Sequence, residues 1–148
     1  MTTTSDSRDS RQTLASLARE ACRSAHAPYS GVHVGAAIRS ATGAFYTGTN
    51  VENAAYPLGN CAEASAIAAG VQAEGDRFRI AETAVWALDR RGRTVTVSPC
   101  GGCRQRIREF AEGDGVQVHF PWHDGSLKSA SVDELLPYAF ELPDPQAP

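Results

Sequence analysis

No apolar run in this sequence is long enough to span a bilayer, so nothing in it reads as a membrane segment. The opening "MTTTSDSRDSRQ" is polar and has no apolar stretch of the kind a secretory leader carries. The expected location is the cytoplasm. There is no excess of positive charge: 14 Lys and Arg against 17 Asp and Glu leave a net charge of −3. A nucleic-acid surface would be basic, so no nucleic-acid partner is expected. Arginines do gather at "DRRGR" and at Arg104, Arg106 and Arg108. A spacing of two sends the second set around a helix, which suits a solvated face. Repeats, linkers and a second domain are also missing. The 148 residues are expected to form one domain, 1–148, with flexible ends near 1–11 and 142–148. Cysteine is scarce, at four residues, and in a reducing compartment these point to metal or catalysis before disulfides.

What is present is an alternation of helical and strand patterns. Leu14, Leu17, Ala18, Ala21 and Cys22 recur at helical spacing, which predicts an amphipathic helix from Gln12 to about His26 with Cys22 on its core stripe. Pro28 ends it. "VHVGAAIRS" and "AFYTGTNV" predict two strands joined at "SATG". A helix of small apolar residues follows, from Asn60 to Glu74-Gly75. "AETAVWALD" reads as a buried strand, and β-branched "TVTVS" as another. A helix from Ser98 to about Glu112 precedes a strand at "VQVHF". "SLKSASV" pairs beside that strand or stays a loop, and "VDELLPYAF" forms a short helical turn. The expected fold class is α/β: three layers, α/β/α, around a central mixed sheet of about five strands.

Two helix starts carry unusual side chains. In "GNCAEASAIAAG", Cys61 and Glu63 stand in the first turn of a helix that is otherwise uncharged. A capping box of Asn60 with Glu63 explains the acid without any chemistry. In "SPCGGCRQRIREF", Ser98 suits an N-cap and Pro99 the first turn. Cys100 and Cys103, three apart, share a helix face and can grip one ion. Both helix starts place thiols at a positive dipole end, where thiolates are stabilised. Three thiolates, Cys61, Cys100 and Cys103, give zinc three ligands and leave a fourth position for water, the pattern of a catalytic site. From the tip of its helix Glu63 can reach that water without binding the metal. Cys61-Ala62-Glu63 followed by Pro99-Cys100-Gly101-Gly102-Cys103 is the signature of the zinc nucleobase deaminases in its cysteine-only form.

Beyond this signature the chain resembles the small, homotetrameric-type zinc cytidine deaminases of the cytidine and deoxycytidylate deaminase family. The matching stretches are "APYSGVHVGAAI", "GTNVENAAYPLGNCAEASAI", "PCGGCRQRIREF" and "ELLPYAF", in that order. The resemblance implies one Zn2+ per chain on the three cysteines, with Glu63 as proton shuttle. It implies that Asn50 and Glu52 hold the ribose hydroxyls, and that Ala62 and Val32 lie against substrate. Phe140 resembles a residue lent to a neighbouring chain in a homotetramer with shared active sites. The implied activity is hydrolytic deamination of cytidine or 2′-deoxycytidine, releasing ammonia, as in pyrimidine salvage. Three thiolates leave the zinc site at a net −1, so it acidifies water less than a neutral ligand set would, and a partner base such as Glu63 becomes more necessary. The Glu52 carboxylate would repel a phosphate, which favours nucleosides over nucleotides.

Two positions depart from the family pattern. Many relatives carry Arg after the catalytic Glu, where this chain has Ala64. The helix dipoles and Arg104 are candidates for charge compensation, and a surface ion pair is the alternative role for Arg104. Where relatives have an aromatic, this chain has Val32 and then His33, which as a strand residue is expected to face solvent or an interface. Asn50 and Glu52 also admit a plain loop-capping role. Three other readings stay open: a deaminase of a modified cytosine nucleoside such as blasticidin S, a structural zinc module with Cys22 as fourth ligand, and a redox dithiol at Cys100 and Cys103.

Overall fold

The computed structural model describes residues 4–143, with side chains described from residue 8 onward. The parts of the expected flexible ends at 1–3 and 144–148 lie outside the described residues. Five strands form one sheet in the order β2-β1-β3-β4-β5: β1 His33–Ser40, β2 Phe45–Thr49, β3 Ile80–Leu88, β4 Gln117–Pro121 and β5 Leu127–Ser131. Only β3 and β4 run parallel, and the crossover between them carries a helix. The other neighbours are antiparallel, so the sheet is mixed, as expected.

Side-chain alternation divides the core into two layers. On one face Ala36 and Ile38 of β1 pack with α2 (Ala62–Glu74) and with Ile107 of α3 (Gly101–Phe110). On the other, Ala37 and Ala84 meet Leu14 and Ala18 of α1 (Thr4–Ala21). Close helix contact depends on glycine at two strand positions. A Cβ on Gly35 would sit 2.0 Å from the Ala18 carbonyl, and one on Gly48 2.3 Å from the Ala66 nitrogen. Hydrogen at both sites lets the backbones of α1 and α2 lie directly on the sheet.

Several expectations need correction. Helix α1 begins at Thr4 rather than Gln12. Tertiary contacts support its polar early turns: Ser10 donates to Glu82, and Arg11 donates to the Leu127 carbonyl. The stretch Thr94–Ser98 is not a strand. It makes one bridge to Leu88, and Val95 and Val97 donate to Ala87 and Pro121. The β3–β4 register pairs cover only Glu82–Ala84, and this stretch wedges between the strand ends beyond them. Asn60 does not cap α2 and Ser98 does not cap α3: Cys61 and Cys100 take those places, with no side-chain cap bond. α3 also stops at Phe110 rather than Glu112. A reciprocal capping box is instead found at α4 (Val132–Leu135), between Ser131 and Glu134. The "SLKSASV" segment is settled as β5, antiparallel to β4.

Candidate active site

The tips of α2 and α3 meet at one end of their layer, and their N-cap residues are both cysteines. Cys61 Sγ lies 3.9 Å from Cys100 Sγ, and the Sγ atoms of Cys61, Cys100 and Cys103 all fall within 4.8 Å of one another. Zinc–thiolate bonds of about 2.3 Å in a tetrahedron separate sulfurs by about 3.8 Å, so the donor set suits one zinc ion. Cys22 is not part of this cluster. It is buried beside α1, where its thiol donates to the carbonyls of Ala18 and Trp86 at 3.4 Å. Burial there pushes the Cys22 thiol up to about 11, as befits an inert core residue. The four-cysteine structural module is thereby excluded. His33 is half-buried at the start of β1 and lies outside the thiol cluster.

The three thiols differ in environment. Burial raises Cys61 and, more strongly, Cys103, to which the neighbouring Glu63 carboxylate adds. Burial also acts on Cys100, but the Cys103 amide and the thiols of Cys103 and Cys61 outweigh it and lower its pKa. Cys100, the exposed member, is thus the first to ionise, and metal binding draws off the remaining protons.

Beside the thiols opens a cavity of about 280 Å³, walled by Val34, Asn50, Glu52, Ala62, Glu63 and Val97 among others. Glu63 is 4% exposed, and burial raises its pKa above the usual carboxylate value. Burial thus favours the protonated form of this carboxyl relative to an exposed one. The nearby Arg106 charge acts in the opposite direction. The model of the cytidine and deoxycytidylate deaminase zinc-binding region matches residues 8–118. The chain belongs to this family. It is 40% identical over 134 residues to a cytidine deaminase of Halalkalibacterium halodurans, covering 90% of this chain and 96% of that one. It is 37% identical over 131 residues to one from Sporosarcina psychrophila, covering 88% and 91%. Among solved structures, cytidine deaminase from Burkholderia pseudomallei superposes with a TM-score of 0.74 at 34% identity, over 87% of this chain and 98% of that one.

Within this family member, the remaining expected site residues divide. Ala62 is fully buried in the cavity wall. On β1 the lining side chain is Val34. Val32, on the same face two residues earlier, meets Asn50 through its carbonyl. The Asn50 amide bridges that strand, accepting from Val34 N at 2.8 Å and donating to Val32 O at 2.9 Å. Glu52 accepts from Tyr29 N at 2.9 Å, Ser30 N at 3.2 Å and the Ser30 hydroxyl. That hydroxyl bond leads the effects that lower its pKa. Both residues therefore serve the loop-capping role, while each faces the cavity. Arg104 donates to the carbonyls of Pro99 and Leu135 at 2.8 and 2.9 Å, fixing the segment before Cys100. Phe140 does not line the cavity beside the thiols. It is 69% exposed on an arm whose backbone is held by Gln105 of α3.

Sequence reasoning missed a second cavity of about 340 Å³ that shares Glu52 and Gly59 with the first. Tyr29, Ser30 and Tyr56 line it, the tyrosine rings packing edge to face at 6.1 Å. All three lie in stretches that carried the resemblance, "APYSG" and "AAYPLG". Polar and aromatic residues flanking an acid were the available signal.

Proposed function

We propose that the chain deaminates cytidine or 2′-deoxycytidine by hydrolysis, yielding the uridine product and ammonia. The observation that carries this reading is a buried glutamate, Glu63, sharing one cavity with a three-thiol cluster and a second carboxylate, Glu52. Cys61, Cys100 and Cys103 would hold zinc, which when bound would supply the Lewis acidity that makes water a competent nucleophile. Glu63 accepts the water proton, passes it to ring N3, and later helps protonate the departing amine. Its burial raises its proton affinity, which suits a group that must take up a proton and pass it on. Ala62, Val34 and Val97 form apolar walls that hold the base and exclude bulk water.

Asn50 and Glu52 receive the sugar. Each has hydrogen-bonding capacity left beyond its present partners: a second N–H on Asn50 and spare carboxylate lone pairs on Glu52. The same carboxylate disfavours a phosphate at that end, so nucleosides are preferred to nucleotides. Phe140, with exposed Tyr138 and Leu142 on the same arm, is lent to a neighbouring chain in a homotetramer, in a cytoplasmic pyrimidine-salvage enzyme.

Zinc analysis of the purified protein together with an absorbance assay on cytidine, 2′-deoxycytidine, cytidine monophosphate and blasticidin S tests this reading. One zinc per chain and rapid turnover of the two nucleosides are expected. Turnover of cytidine monophosphate at a rate comparable to cytidine contradicts the role of Glu52. Turnover of blasticidin S alone contradicts the substrate assignment.

A further inference from the structure

The face of the sheet opposite the thiols carries a second polar constellation, which deamination does not use. Four side chains stand in a row across four strands: Arg39 on β1, Glu82 on β3, His119 on β4 and Ser129 on β5. Arg39 is register partner to Glu82, and His119 to Ser129. His119 Nε2 lies 2.7 Å from Glu82 Oε1, and Nδ1 lies 2.7 Å from Ser129 Oγ. The other carboxylate oxygen accepts from Ser10 Oγ at 2.5 Å and from Arg39 at 3.1 and 3.3 Å. Glu82 and His119 are 8% and 3% exposed, whereas Ser129 is exposed on the edge strand.

The donor inventory orients this chain of bonds. Ionised Glu82 can only accept, so Nε2 of the ring carries hydrogen. In the neutral ring Nδ1 is then left with a lone pair, and the Ser129 hydroxyl donates to it. These are the relations of nucleophile, base and orienting acid, with the two ring nitrogens exchanged relative to the serine-protease arrangement. Tying α1 to the sheet needs only Ser10, Arg39 and Glu82. Ser129 adds nothing to that tie, and it is the member open to solvent.

We propose that Ser129 is an activated nucleophile that accepts an acyl group from small activated esters, with His119 as general base and Glu82 as the residue positioning its ring. Ser129 Oγ forms a bond to the ester carbonyl carbon, and the bond from that carbon to the leaving oxygen breaks. The serine proton passes to His119 Nδ1 and then to the departing phenolate, leaving acyl-Ser129 and a phenol. An edge strand offers no deep pocket, so small reactive electrophiles fit this site better than elaborate substrates.

The test treats the zinc-loaded full chain with p-nitrophenyl acetate, follows phenolate release, and locates the acetyl group by peptide mass spectrometry. Acetylation of Ser129 is expected, about 10²-fold faster than at unassisted serines. Ser129→Ala is expected to abolish the fast phase while leaving zinc content and the thermal melt unchanged. Glu82→Gln is expected to slow Ser129 acetylation about tenfold, with partial recovery in Glu82→Asp, an order that a purely structural role would not produce. If the Glu82 variants fail to fold, the comparison of the unaltered chain with Ser129→Ala still decides. Acetyl groups absent from Ser129, or no faster there than on other serines, overturn the proposal. So does a Ser129 acetylation rate unchanged in folded Glu82→Gln.

Discussion

Cys61 and Cys100 are 39 positions apart in the chain, yet their sulfurs are 3.9 Å apart because each is the N-cap of its helix. The metal site is therefore a product of helix–helix packing, and its ligands are not interchangeable with the fourth cysteine. Replacing Cys61 or Cys100 by Ser is expected to weaken zinc binding beyond the roughly 10–100-fold loss typical of changes around, rather than at, a ligand. Cys22→Ser is expected to keep one zinc per chain while costing about 1–3 kcal/mol from a polar atom in the core. Chelator competition and chemical denaturation read the two effects separately. Loss of zinc in Cys22→Ser contradicts the site's composition.

Glu63 lines the same cavity as Cys61 and Cys100, and the proposed mechanism gives it a proton rather than the metal. Glu63→Gln keeps the shape of the side chain and removes its basicity. The protein is expected to retain its full zinc content and lose at least about 10²–10⁴-fold in kcat, the range for general acid–base assistance. Zinc analysis and steady-state kinetics on the same preparation check this. Ordinary turnover in that variant ends the mechanism.

The zinc signature was legible because its residues are few, reactive and fixed in spacing: Cys61, Glu63, Cys100 and Cys103 needed only two helix starts to be recognised. The caps were misread for the same local reason. Asn60 and Ser98 carry good capping groups, but the chain starts each helix at a cysteine one or two residues later. Long-range effects were not legible at all. The early turns of α1 look too polar to fold until Glu82 and the Leu127 carbonyl, far away in sequence, receive Ser10 and Arg11. Thr94–Ser98 has strand propensity, but only the ends of β3 and β4 are available to it, so pairing decides against a strand. The motif marks Asn50 and Glu52, whereas their bonds to Val32, Val34 and Ser30 arise only when the fold brings those stretches together.

Asn50 braces Val32 and Val34, and a single variant can separate that duty from its proposed hold on the sugar. Asn50→Ala leaves Val34 N and Val32 O without their partner, at an expected cost of about 1–3 kcal/mol in stability. If the amide also holds a ribose hydroxyl, the same variant narrows the preference for cytidine over 2′,3′-dideoxycytidine by roughly tenfold. Denaturation and paired kcat/KM values give the two numbers. A stability loss with an unchanged preference assigns Asn50 to bracing alone.

Gly48 sets how closely α2, and with it Cys61 and Glu63, approaches the sheet. A methyl group there meets the Ala66 nitrogen at 2.3 Å and the Ala62 carbonyl at 2.4 Å, and neither backbone atom can rotate aside. Gly48→Ala is expected to destabilise the protein by about 1–3 kcal/mol as an overpacking change. Because the clash is with the first turns of α2, zinc affinity should fall as well. Melting temperature and chelator competition measure both. A stability loss with unaltered zinc affinity would show that the helix tip moves independently of its middle.

Glu82 makes stability depend on pH in a defined direction. Burial alone would raise its pKa, but hydrogen bonds from His119, Ser10 and Arg39 and the charge of His119 bring it from 4.5 down to about 2. A carboxyl depressed in the folded state stabilises fully above its unfolded pKa and loses that contribution as pH falls toward the folded value. The window therefore runs from about pH 4.5 down to about pH 2. Other carboxylates with lowered pKa, Glu74 and Asp89 among them, add their own slope there. The informative quantity is thus the difference between the unaltered chain and Glu82→Gln. The variant is expected to melt lower at neutral pH, and the gap should close as the pH drops through the window. Melting curves that stay parallel from pH 7 to pH 2 would mean that Glu82 is not held ionised by its neighbours.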